Sequence, residues 1–205
     1  LGQGARPQPH PSGVTVLPGP PRLVDESQVT AEVAASALRQ VRQEFPLVVA
    51  DLSAALRDST VVALEQADAV LLVTTPDLLA IYACRRFVQE APLAGIDLSR
   101  FRLVINRAAA RQEIPDREIL ELIDLPLAGK VPSLPGLAAA VNRGLLTPTF
   151  RSNTDFAGAL GQVAANLNFL DLPLRGPSAT DSTGAAPMER PTGLIPALRR
   201  WWRSR

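Results

Sequence analysis

Short runs of apolar residues alternate along this chain with helical patterns, and this alternation limits the possible folds more than any other feature. Four runs have the length of a buried strand: 45–50, 69–74, 101–106 and 127–131. Strands that are apolar on both faces need cover on both sides, as in a parallel sheet flanked by helices. The sequence therefore predicts an α/β fold with a mostly parallel sheet and helices on both faces.

Helical patterns fill the segments between these runs. Thr30 is a candidate N-cap for a helix whose apolar stripe ends at Val41. Thr75, Pro76 and Asp77 predict the start of another helix, with the proline in its first position. Further helices are predicted at 58–67, 116–123, 137–142 and around 156–167.

Polar residues follow each of the predicted strands. Right-handed crossovers place the carboxyl ends of parallel strands on one edge of the sheet, where α/β proteins bind ligands. The residues at that predicted edge are Asp51, Thr74–Asp77, Asn106, Arg107, Pro132 and Ser133.

Proline content divides the chain into parts. We predict an extended, proline-rich segment at 1–29 with a short strand near 14–17, and a partial α/β domain at 30–170. A flexible linker at 171–192 and a basic amphipathic tail helix at 193–205 complete the chain, and the ends are expected to be disordered.

The counts of a few residue types exclude several kinds of site. One cysteine, Cys84, and one histidine, His10, exclude a disulfide framework, a cysteine zinc site and any site that needs two imidazoles. The five arginines at 190–205 leave 16 basic and 20 acidic side chains elsewhere, a net charge of −4. An acidic body gives no long-range attraction to nucleic acid.

Five segments in order carry a resemblance to a known family: 48–52, 67–77, 103–107, 127–132 and 140–144. They resemble the ParA/MinD class of P-loop ATPases, and within it the CpaE/TadZ proteins that position Flp pili. The resemblance covers about residues 10–168. It implies the C-terminal part of a SIMIBI-type P-loop NTPase fold, with ATP and Mg²⁺ as cofactors of the complete protein.

The resemblance also assigns roles to the strand-end residues. Asp51 matches the Walker B aspartate, which would hold a water of the Mg²⁺ shell and would not ligate the metal directly. The alternative is a strand-terminal aspartate that caps the following turn. Asn106 and Arg107 match the position that contacts adenine, with an ordinary polar strand end as the alternative. Pro132 and Ser133 fall where relatives complete the base pocket.

The phosphate-binding loop of that family is missing from the sequence. The loop needs G-x-x-x-x-G-K-[ST], but the sole lysine, Lys130, is followed by valine and Asp124 lies six positions before it. The glycine usually found soon after the Walker B aspartate is also absent. We therefore expect a fragment that does not hydrolyse ATP alone and binds no cofactor alone, with about half a domain upstream.

The C-terminal segment has one apolar and one basic side as a helix. Its predicted membrane contacts are Leu194, Ile195, Leu198, Arg199, Arg200, Trp201, Trp202 and Arg203. Tryptophan at the headgroup level and arginine on phosphates favour an anionic bilayer. The alternatives are a solvated basic end or a helix that docks on a partner protein.

These features predict an ATP-dependent spatial regulator for pilus, secretion or division machinery. It is expected to be cytoplasmic, peripheral at the inner face of the cell membrane and homodimeric when complete, with no nucleic-acid partner. The first alternative is a non-catalytic localisation scaffold that keeps the fold, and the second is a partitioning ATPase.

Overall fold

A computed structural model of the chain describes residues 7–10, 12–20, 28–109, 113–144 and 152–167. All of them belong to one unit, residues 1–169, and the second unit, 170–205, lies outside the described residues. The predicted linker at 171–192, the tail at 193–205 and every predicted membrane-contact residue therefore also lie outside them.

Among the described residues, three parallel strands form the central sheet. They are β3 (Val70–Thr74), β4 (Phe101–Ala108) and β5 (Leu127–Pro132), with β4 in the middle. Val70 pairs with Phe101 and Thr74 with Ile105, and both strand pairs are parallel. The predicted α/β fold with a parallel sheet and helices is therefore confirmed.

Six helices accompany the strands in the part of the chain that the structure describes. They are α1 (Ala31–Glu44), α2 (Asp58–Gln66), α3 (Leu78–Glu90), α4 (Asp116–Ile123), α5 (Leu137–Asn142) and α6 (Thr154–Ala165). Two 3-10 turns, Ala91–Ala94 and Leu98–Arg100, connect α3 to β4. A two-residue pair at the start of the chain, β1 (Gln8–Pro9) and β2 (Thr15–Val16), is antiparallel. Among the helices described, none has the length and hydrophobicity needed to cross a membrane.

Each face of the sheet has its own core. Phe101, Leu103 and Ile105 of β4 are fully buried on one face, together with Ile81 of α3 and Ile119 of α4. The opposite face holds a smaller cluster of buried residues from β4, β5 and α6: Val104, Ala128, Val131, Phe156 and Val163. Residues of β4 are thus buried on both faces of the sheet, as expected of a central parallel strand.

Close contact fixes α6 against β5. A methyl group at Gly129 would come within 2.7 Å of Cγ2 of Val163, so only glycine leaves room for the helix at this distance. At the end of α6, the side-chain amide of Asn166 donates to the carbonyl of Ala128 at 2.7 Å. This packing holds β5, the strand that leads to Pro132 and Ser133.

Two arginines bind the carbonyl groups at the end of α2. Arg100 donates to the carbonyls of Glu65 and Ala67 at 2.9 and 2.6 Å, and Arg42 donates to the carbonyl of Gln66 at 2.6 Å. The last carbonyls of a helix lack partners within it and carry partial negative charge, so guanidinium groups stabilise them. Arg100 thereby connects α2 to the start of β4.

Two sequence predictions about local structure are wrong. Residues 45–50 form no strand, and Val49 is 86% exposed, because no described strand lies beside this segment to bond its backbone. Pro76 is not the first residue of α3, because Asp77 is the N-cap: its side chain accepts from the backbone N–H of Ala80 at 3.0 Å. Proline therefore precedes the cap.

Candidate nucleotide edge of the sheet

The carboxyl ends of β4 and β5 bring four predicted site residues together. Asn106 pairs with Val131 and Ala108 pairs with Pro132, while Arg107 between them has no partner in the register. The backbone N–H of Ser133 then donates to the carbonyl of Ala108 at 3.2 Å. Asn106, Arg107, Pro132 and Ser133 therefore lie side by side at one edge.

Arg107 forms a bulge with an uncommon backbone conformation. Its φ is +55°, in the left-handed region that favours glycine, and it is the residue that the β4–β5 register skips. The side-chain oxygen of Asn106 accepts from the backbone N–H of Arg107 at 2.9 Å. Bulges next to ligand sites redirect a side chain, and this one places an exposed guanidinium at the edge.

The end of β3 contributes a carboxylate beside this guanidinium. The hydroxyl of Thr75 donates to Asp77 and lowers the pKa of that carboxyl below its usual value. The N–H of Ala80 and the nearby charge of Arg107 lower the pKa of Asp77 further. Asp77 therefore stays ionised at neutral pH, and its charge occupies the N-terminus of α3.

The sequence placed Asp77 at this edge, within Thr74–Asp77, but gave it no role beyond starting a helix. Its place three residues after the end of a parallel strand was the available signal. The left-handed bulge at Arg107 had no comparable signal, because arginine is not a residue that favours positive φ.

Asp51 is not brought into this group by any contact of the described residues. It is exposed, lies in the irregular segment after α1, and forms no hydrogen bond or ion pair with the part of the chain that the structure describes. Its assignment as a Walker B aspartate stays a prediction. Within the described ranges, no group of three or more His, Cys, Asp or Glu side chains is placed to hold a metal ion.

Lys130 has a structural partner. Its ammonium group lies 2.6 Å from the carboxylate of Asp116 at the start of α4, and both side chains are partly exposed. The pair connects β5 to α4.

Comparison with known proteins gives no matching family model but several relatives. The chain is 22% identical over 158 residues to an uncharacterised ATP-binding protein of Methanocaldococcus jannaschii, covering 77% of this chain and 59% of the relative. A second ATP-binding protein of that organism is 27% identical over 157 residues, with 76% and 59% covered. Septum site-determining protein MinD of Synechocystis is 26% identical over 121 residues, with 57% and 45% covered. The chain thus spans less than two thirds of each of these relatives.

Solved structures share the fold. A ParA family ATPase from Chlorobium tepidum superposes with a TM-score of 0.65 at 18% identity, covering 80% of this chain and 66% of that one. The cell division ATPase MinD of Pyrococcus furiosus superposes with a TM-score of 0.61 at 19% identity, covering 76% and 65%. The MinD of Pyrococcus horikoshii, complexed with Mg-ADP, gives 0.59 at 19%, covering 78% and 65%. The chain therefore shares the fold of ParA and MinD ATPases of known structure.

Proposed function

We propose that this chain is the base-binding, C-terminal part of a ParA/MinD-like ATPase that acts as an ATP-dependent spatial regulator. The observation that carries the proposal is the bulged end of β4 beside the end of β5. There Asn106, Arg107 and Ser133 lie side by side at the edge where parallel sheets bind ligands. Relatives described as ATP-binding support the same assignment.

The residues present fit one side of a nucleotide. The amide of Asn106 would offer hydrogen bonds to a base edge, Arg107 would offer a planar group to cover the ring, and Pro132 and Ser133 would lie beside the base. The phosphate side does not fit, since the sequence has no glycine-rich loop with a lysine. Asp51 would hold a water of the Mg²⁺ shell only in a protein that supplies that loop. ATP and Mg²⁺ are therefore proposed for the complete protein, and we derive no hydrolytic step for this chain.

Ligand-observed NMR tests the base site directly. Saturating the complete protein in the presence of ATP is expected to transfer magnetisation to the two carbon-bound protons of adenine more than to the ribose protons. Arg107→Ala is expected to reduce the transfer at least threefold, whereas Arg117→Ala, on the exposed face of α4, leaves it unchanged. The absence of transfer from the complete wild-type protein would contradict the proposal.

Membrane attachment through residues 193–205 is the second element of the proposed function. A short helix with two tryptophans and several arginines gives weak, reversible binding to an anionic surface, which suits a regulator that cycles between membrane and cytoplasm. Vesicles that contain anionic lipid are expected to co-sediment the full chain. Removing 193–205 should release it, and neutral vesicles should not retain it. Equal sedimentation of the full and the shortened chain would contradict membrane attachment through residues 193–205.

A homodimer is proposed because apolar side chains are exposed next to the nucleotide edge. Leu78, Leu79 and Tyr82 lie in the first turns of α3, directly after Asp77, and are 69%, 82% and 66% exposed. Large exposed apolar side chains that cluster in this way mark association surfaces. Leu79→Asp is expected to shift the sedimentation of the complete, ATP-bound protein from dimer to monomer. Leu93→Asp, at an equally exposed leucine after α3, is the matched control.

The machine that is positioned is proposed from similarity alone. Aquifex aeolicus MinD has been solved in a MinC:MinD complex, and the sequence resembles CpaE/TadZ proteins of Flp pili. Division and pilus machinery are therefore the candidate partners. A fluorescent fusion of the complete protein is expected at the cell pole or septum, and it should lose that position when the partner machinery is deleted. A diffuse signal that does not change when either machinery is deleted would contradict division and pilus machinery as partners.

A non-catalytic localisation scaffold is the second candidate, favoured by the missing phosphate loop and the missing glycine after Asp51. Steady-state ATPase assays on the complete gene product separate the two. Turnover that depends on Asp51 supports the regulator, and no turnover with intact localisation supports the scaffold. A partitioning ATPase is the weaker alternative, because the acidic body offers no basic patch for DNA.

A further inference from the structure

One face of β3 is apolar and exposed. Val73 pairs with Val104 and Leu71 with Arg102, and paired residues of parallel strands point to the same face of the sheet. Val104 belongs to the core under α6, so Val73 and Leu71 lie on the face that α6 covers. Val73 is nevertheless 53% exposed and Leu71 40% exposed. The cover that α6 gives to β4 and β5 therefore does not extend over β3.

The opposite face of the same strand is closed. Leu72 packs into the larger core, and Thr74 is buried beside Ile105. Parallel strands that are apolar on both faces are ordinarily covered on both. Contiguous apolar side chains left in water mark an interaction surface. We call Leu71 and Val73 the open strip of β3.

A cation lies at one end of the open strip. Arg102 is half-buried and is the register partner of Leu71. Its guanidinium donates to the carbonyls of Ser99 and Phe101 at 2.9 and 2.7 Å, which keeps it at the start of β4. Within the described residues, Arg102 forms no ion pair with a carboxylate. A guanidinium in such a place favours a negatively charged group in whatever covers the strip.

We propose that the open strip docks an amphipathic helix of the complete protein, with an acidic end that lies over Arg102. Helices cover the faces of parallel sheets, and α6 already forms part of a helical layer on this face. Two relatives are longer than the matched region, which spans 59% of each, so their remaining length is ample for one more helix. This docking rests on the longer protein that the proposed function assumes, but it involves no nucleotide.

Thiol labelling measures the cover over the strip directly. Val73→Cys is expected to react rapidly with a thiol reagent in this chain, and at least about tenfold more slowly in the complete protein. Val141→Cys is the matched control, because Val141 of α5 is 50% exposed, and it should react equally in both proteins. The native Cys84 is buried in the core on the opposite face and reports any unfolding.

A polar substitution of the same shape gives a second measurement, should the cysteine variant not fold. Val73→Thr places a hydroxyl on the open strip, which costs little in water and more beneath an apolar helix. It is expected to lower the midpoint temperature of thermal unfolding of the complete protein by about 3 °C or more, and that of this chain by less than about 1 °C. Val141→Thr should have the same small effect in both proteins.

Rapid labelling of Val73→Cys in the complete protein would overturn the docking. Protection that appears only when another protein is added, or that grows with the concentration of the complete protein, would overturn it in favour of a separate partner or a second copy. No nucleotide is present in these experiments. Their failure is therefore distinguishable from a failure of the adenine site, which the magnetisation transfer from ATP reports.

Arg102→Glu tests the charge of the docked helix. A carboxylate placed against an acidic end repels it, so labelling of Val73→Cys in the complete protein should become at least about threefold faster while Cys84 stays protected. Arg85→Glu, at an exposed arginine of α3, is the control and should leave the rate unchanged. An unchanged rate in Arg102→Glu would overturn the acidic end.

Discussion

Replacing Gly129 with alanine tests the contact that holds β5 in place. The added methyl group would lie 2.7 Å from Cγ2 of Val163, about 0.7 Å inside the 3.4 Å at which ordinary contact begins. Valine in a helix has one strongly preferred rotamer, so the methyl group cannot simply rotate away. Relief requires an off-rotamer valine or a shift of α6, and overpacking of this kind costs about 1–3 kcal/mol.

Urea denaturation followed by circular dichroism measures that loss of stability. The midpoint temperature of thermal unfolding should fall by about 2–4 °C for each kcal/mol lost. Val163→Ala alone should cost about 2 kcal/mol, because it removes two buried carbons and leaves a cavity. In the double variant the new methyl group occupies part of that cavity. We therefore expect the two costs to be subadditive by about 1 kcal/mol or more.

The matched control is Gly161→Ala on the same helix. A methyl group there meets no atom within 4 Å, and alanine favours the helix, so stability should rise by up to about 1 kcal/mol. A neutral Gly129→Ala variant, or fully additive costs in the double variant, would refute the packing of α6 on β5 described above.

Three further predictions concern other parts of the unit. Arg100→Ala should lower the free energy of unfolding by about 1–2 kcal/mol in urea denaturation, because two carbonyls at the end of α2 lose a charged donor; a neutral result would show that water replaces it. The pKa of Asp77 is lower in the folded protein than its ordinary value of about 3.9. The ionised carboxylate therefore stabilises the fold at pH values above that ordinary pKa, and this stabilisation is lost as the pH falls through the lower pKa of the folded state. Carboxyl NMR titration should show that Thr75→Ala raises this pKa, and an unchanged midpoint would contradict the role of the hydroxyl. Burial raises the pKa of the Cys84 thiol, so thiol reagents should label Cys84 only at the rate of unfolding, and rapid labelling of the native protein would contradict its burial.

Much of the fold was predictable because burial on both faces leaves a direct trace in the sequence. The runs at 69–74, 101–106 and 127–131 became β3, β4 and β5 within a few residues. The run at 45–50 is also strongly apolar but forms no strand. A strand needs a neighbouring strand to bond its backbone N–H and C=O groups, and no described strand lies beside this segment.

The site was predictable in place and not in geometry. Parallel topology alone put Asn106, Arg107, Pro132 and Ser133 at one edge, and the register of β4 with β5 brings them together. The bulge that skips Arg107 depends on the backbone of β4 against its neighbour, which no local pattern encodes. The Walker B assignment of Asp51 rests on its position in a motif, and that position says nothing about the phosphate-binding loop that a complete site would need.

The central claim is that the ends of β3, β4 and β5 form one adenine-binding edge. Two-dimensional ¹H–¹⁵N NMR of the complete protein, titrated with ATP, tests this most directly. We expect chemical-shift changes at Asn106, Arg107 and Ser133, smaller ones at Thr75 and Asp77, and none in α1. An unchanged spectrum, or shifts confined to residues away from these strand ends, would contradict it.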